Sequence, residues 1–105
     1  MATLDLDELI GASLAEARKT LPSAPRIVQV LHRVGKDHAG DDAVFVTVVL
    51  GDETPEDQLN WRALGPTSRR LADAAQHAYQ FQIEAIPYVR FVTEAQAKDE
   101  GLSVP

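Results

Sequence analysis

The run Ala43-Val44-Phe45-Val46-Thr47-Val48-Val49-Leu50 constrains this chain more than any other stretch. Its valines and phenylalanine suit a pleated, buried surface, and turn formers bound it: Gly40-Asp41-Asp42 before, Gly51-Asp52-Glu53 after. It is too short to cross a bilayer and too β-branched for a comfortable helix, so it predicts a central strand. Val44, Val46, Val48 and Leu50 then share the core face. Phe45, Thr47 and Val49 share the opposite face, which is less polar than water requires. Such a face is either covered within the domain or is a surface for a partner.

The elements around this strand follow from local chemistry. Asp5 and Glu8 have capping-box spacing, and Leu6, Leu9, Ile10, Leu14, Ala17 and Leu21 make an apolar stripe, so a helix is predicted from about Asp5 to Thr20. Arg18 and Lys19 suit its C-terminal end, and Pro22 and Pro25 stop it. Ile27–Val34 predicts a strand apolar on both sides, with Val28, Val30, His32 and Val34 on one and Ile27, Gln29, Leu31 and Arg33 on the other. The Gly35–Asp42 loop then makes an antiparallel pair with the central strand. Thr54-Pro55-Glu56-Asp57 predicts a helix start, with Thr54 as cap and Pro55 in the first turn. That helix should reach about Ile83, with a kink or break at Gly65-Pro66, and bury Leu71, Ala74 or Ala75, Ala78 and Phe81. Ile86-Pro87 ends it, and Tyr88–Thr93 predicts the last strand, parallel to the central one because a helical crossover joins them.

The expected fold is a single α+β domain over residues 1–105, in the order helix, strand, strand, kinked helix, strand. It has a mixed three-stranded sheet with its helices packed on one face. The ordered core is expected at about 4–94, and the polar tail 95–105 is expected to fray. With 105 residues and no cysteine there is room for one core, and no disulfide, thiolate metal site or cysteine nucleophile. The acidic N-terminus lacks the positive charge of a signal peptide, so a cytoplasmic protein with no membrane segment is expected.

The search for chemistry finds no catalytic constellation. His32, His38 and His77 occupy no metal-ligand motif. Asp41-Asp42 and Asp52-Glu53 flank the central strand about 26 Å apart, too far to share a cation, and are better explained as turn and cap residues. No glycine-rich phosphate loop or nucleophile elbow is present. Trp61 is expected to pack in the core or against its own helix. No enzyme, cofactor, metal or small-molecule site is therefore expected.

The hairpin into Val44–Asp52, the segment Ala63-Leu64-Gly65 and the strand Ile86-Pro87-Tyr88-Val89-Arg90-Phe91-Val92 resemble ribosome-binding factor A, a family with a K-homology-like (type II) fold. The resemblance implies a helix kink at Ala63, Gly65 and Pro66, and a non-catalytic RNA-binding role in assembly of the small ribosomal subunit. Arg33, Arg62, Arg69 and Arg70 would then contact RNA. The net charge of −6 disfavours that role, because phosphate contacts need clustered cations. The favoured expectation is a protein-interaction module that dimerises or binds another protein. Its expected face is Phe45, Thr47, Val49, Tyr88, Arg90 and Val92, or else a sheet edge.

Overall fold

A computed structural model of the chain describes residues 6–23, 25–76 and 85–102. The described elements are α1 (Leu6–Arg18), β1 (Ile27–Lys36), β2 (Asp42–Leu50), a 3-10 turn (Glu56–Gln58), α2 (Trp61–Gln76), β3 (Ile86–Thr93) and α3 (Glu94–Asp99). The sheet order is β1-β2-β3, with β1 antiparallel and β3 parallel to β2. This is the expected α+β domain with a mixed three-stranded sheet, and β2 lies at its centre.

The valine run gives the core its floor. Val44, Val46, Val48 and Leu50 are at most 2% exposed and pack against Ile10 and Leu14 of α1 and Leu64, Leu71 and Ala75 of α2. Asp7 and Glu8 in the first turn of α1 and Arg18 in its last complement the helix dipole. The two helices are also tied to each other: the Ser13 hydroxyl donates to the Ala74 carbonyl at 2.7 Å, and Arg70 Nη1 donates to the Thr20 carbonyl at 3.1 Å. Asp5, Ala78 and Phe81 lie outside the described residues.

Four local expectations are corrected. First, Thr54 does not cap a helix. Its hydroxyl donates back to the Gly51 carbonyl at 2.7 Å, and only the 3-10 turn follows. The cap of α2 is Asn60, whose Oδ1 accepts from the Ala63 amide at 3.0 Å. Second, the chain does not break at Gly65-Pro66: α2 runs through Ala63, Gly65 and Pro66 as one helix, and the break in helical structure falls before Trp61. Pro66 leaves only the Arg62 carbonyl without its usual amide, and both residues are exposed, where water can serve that carbonyl. Third, a register shift between Ile27 and Gln29 sends Ile27 toward the α1/α2 core and Val28 to the other side, exchanging the sides expected for these two.

The fourth correction has the widest effect. The tail does not fray at Glu94. Thr93 and Gln96 form a complete capping box that opens α3. At its far end Gly101 takes φ +75°, Leu102 N–H donates to Ala97 O at 2.9 Å, and Gly101 N–H donates to Lys98 O at 3.0 Å. This short helix lies on the sheet face opposite α1 and α2, where Ala97 is fully buried against Val49 and Val92, with Val28, Leu31 and Leu102 alongside.

Candidate interaction face

On the side of the sheet away from α1 and α2, the register aligns three rows of side chains. Gln29, Val49 and Val92 form one row, Leu31, Thr47 and Arg90 the next, and Arg33, Phe45 and Tyr88 the third. The six-residue α3 is only about 9 Å long, whereas each strand is about 26 Å or longer. It can therefore roof only part of this face. It covers the first row, so Val49 and Val92 are 0% and 6% exposed and are not available to a partner. That removes two of the six residues expected to form the interaction face.

The other four remain together. The Phe45 and Tyr88 rings stack with centroids 5.5 Å apart and an interplanar angle of 14°. The Arg33 guanidinium lies over the other side of Phe45, 4.4 Å from the ring centroid. Gly35 makes this approach feasible, since a Cβ there would stand 2.9 Å from Arg33 Nη1. Tyr88 donates its hydroxyl to Asp37 Oδ2 at 2.9 Å. Arg90 Nε donates to the hydroxyl of Thr47 at 3.1 Å, and its Nη2 donates to Glu100 at 2.7 Å. Arg90 is thus a strut between the sheet and the last turn of α3, and Thr47 is buried beneath it.

The electrostatics of this corner come from the β1–β2 loop. The Asp41 amide, then the Tyr88 hydroxyl and the Ala39 amide, hydrogen-bond the Asp37 carboxylate and hold it below its ordinary titration range. The same hydrogen bond, with burial and the Asp37 charge behind it, raises Tyr88 above that of a free phenol. Between the aromatic row and α3 lies a hollow of about 380 Å³, lined mainly by Leu31, Phe45, Tyr88, Arg90 and Leu102. Its walls offer stacking surface, aliphatic surface and cationic edges. They can grip a side chain, but they hold no nucleophile beside a base.

The arginines do not converge. Arg33 and Arg90 belong to the open face, while α2, which carries Arg62, Arg69 and Arg70, packs against the other side of the sheet. Arg70 is also committed to the C-terminal end of α1. His32 turns toward α1, with Nε2 3.0 Å from the Asp7 carbonyl and 2.9 Å from its carboxylate. His77 lies outside the described residues. Among the described residues no cluster of His, Asp or Glu is arranged to hold a metal ion, and no helix is long and apolar enough to cross a membrane.

Of the two places expected for Trp61, core or helix packing, the structure shows the second: it is 66% exposed, with its indole resting on Gly65 one turn along α2. The four-residue Trp-to-Gly spacing was a usable signal, since a helix neighbour without a Cβ gives a large ring a seat at the surface. At the opposite end of β2, Arg26 bonds Glu53 and Glu94, the Asp52 amide donates to Glu94, and the Ala95 amide donates to Asp52. The Arg26 hydrogen bond comes first among the causes that lower the Glu53 carboxyl to about 2. No protein-family model matches this chain, and neither curated proteins nor solved structures provide a match.

Proposed function

We propose that this domain is a non-catalytic, cytoplasmic protein-interaction module that binds through the half of the sheet α3 leaves open. The observation that carries this reading is the Arg33–Phe45–Tyr88 row. It is a pre-stacked, partly exposed aromatic pair beside an arginine that makes no ion pair with a described residue, in a chain with a net charge of −6. Aromatic and arginine side chains held rigid at the rim of a hollow are the groups that most often dominate protein–protein binding energy.

The reading of the chain as an RNA-binding assembly factor draws less support. The arginines it needs lie on two sides of the molecule.

Affinity capture with the whole chain tests the proposal, comparing the native sequence with Phe45→Ala and Tyr88→Ala after nuclease treatment. Protein partners that survive the nuclease and are lost with either substitution support it. Partners lost to nuclease, or indifferent to both substitutions, overturn it. Light scattering across a dilution series, at low and high salt, tells whether the partner is a second copy.

A further inference from the structure

The open face is bordered by β1, an edge strand of ten residues. No backbone–backbone hydrogen bond joins its outer side to another described segment. One end of that edge is closed: Arg18 Nη2 donates to the carbonyls of Ile27 and Val28 at 2.9 and 3.2 Å, beside the register shift. From Gln29 to Lys36 no described segment hydrogen-bonds the backbone of that edge. The other edge strand, β3, carries Pro87, which has no amide hydrogen to offer a neighbour. Among the described residues, β1 therefore offers an added strand the longer stretch of edge without a missing amide.

The charges say what kind of strand fits. Between Arg26 and Lys36 there is no acidic residue, although the chain as a whole is acidic. Arg26 is engaged by Glu53 and Glu94, and Lys36 by Asp42, which leaves Arg33 as the edge arginine without a carboxylate among the described residues. A residue directly opposite Arg33 on an added strand would share its face, close enough for an ion pair. On the same face Leu31 asks for an apolar neighbour. On the other face Val34 does too, being 37% exposed at the strand's free end. A second copy of β1 could not supply the carboxylate, because it has none.

We infer that the outer edge of β1, from Gln29 to Lys36, accepts an extended acidic segment of a partner protein as a fourth strand, with a carboxylate of that segment on Arg33. This deepens the proposed function and rests on it. Backbone hydrogen bonds give such a complex its affinity, and the alternating side chains give it selectivity.

The test uses the full chain and three capped synthetic peptides of about eight residues, a usual strand length. The first alternates threonine and valine around one central glutamate. The second has lysine in its place, and the third is the glutamate peptide with alternate backbone amides methylated. Binding is read by NMR shifts of Phe45 and Tyr88 and by amide exchange along β1. The glutamate peptide should bind about tenfold more tightly than the lysine peptide, since opposite charges across strands attract and like charges repel. It should slow exchange over residues 29–36, and the methylated peptide should do neither. Arg33→Glu, at an exposed position, should reverse the preference.

Shifts at Phe45 and Tyr88 with unchanged β1 exchange would overturn the edge inference and leave the open-face reading standing. Slowed β1 exchange on concentrating the protein alone would assign the edge to a second copy. Equal binding of the glutamate and lysine peptides would remove the role given to Arg33. Failure of every peptide to move either region would count against both readings.

Discussion

The two faces of this sheet are built from the same strands, yet they end in different states. On one, α1 and α2 bury Val44, Val46, Val48 and Leu50 almost completely. On the other, α3 buries Val49 and Val92 and leaves the Arg33–Phe45–Tyr88 row at the surface. β-branched composition alone does not decide which side of a strand is core. The length of the helix laid over it does.

The contrast can be broken or sharpened by experiment. The largest effect should come from the long-helix side: Leu71→Ala removes a fully buried side chain and should cost about 2–5 kcal/mol by urea denaturation. Ending the chain after Thr93 should cost about 2 kcal/mol, since neighbouring strands still cover part of the re-exposed Val49 and Val92, while the domain still unfolds in one transition. If that truncation costs as much as Leu71→Ala, the two faces are not energetically distinct. Thr93→Ala removes the cap of α3 and should cost about 1 kcal/mol in the same assay.

A gain is expected at Gln29, whose Oε1 is buried without a hydrogen-bond partner among the described residues. Gln29→Leu should stabilise the domain by about 1 kcal/mol, because it removes an unmet acceptor from the covered row. A loss there would mean that the amide is satisfied in solution.

The smallest effect should be that of pH. Glu53 titrates at about 2 when folded against an ordinary 4.5, so its bond to Arg26 stabilises the fold above pH 4.5. That contribution is lost as pH falls from 4.5 toward 2. Arg26→Met should flatten this acid-side fall in melting temperature, modestly, because the pair faces water.

The parts of the fold that announce themselves in sequence repeat a signal over many residues. The alternation along β2 identified the core face, and the stripe Ile10, Leu14 and Ala17 with Arg18 at its end identified α1. What escaped is short or ambiguous. α3 spans six residues, too few to show periodicity, although Thr93-x-x-Gln96 and Gly101 carried its start and stop. Thr54-Pro55 and Asn60 are both credible helix starts. The choice turned on the Gly51 carbonyl that claims the Thr54 hydroxyl, a tertiary fact that spacing does not contain.

The candidate site divides in the same way. Phe45, Thr47, Tyr88 and Arg90 were placed together by strand parity, while Val49 and Val92 were lost to the helix that sequence did not disclose. Arg33 entered for another reason, as a candidate RNA contact, and its seat on Phe45 depends on register.

The clasp of Arg26, Glu53 and Glu94 also bears on how the chain opens and closes. Its partners are 27 and 68 residues apart, drawn from the entrance to β1, the exit of β2 and the end of β3. The Glu53 arm needs only the β1–β2 pair, but the Glu94 arm cannot form until β3 is aligned as well, so that arm is expected on the native side of the folding barrier. Loosening that arm should therefore hasten escape from the native state and leave the rate of arrival nearly unchanged, a separation that stopped-flow unfolding and refolding of Glu94→Gln would read directly.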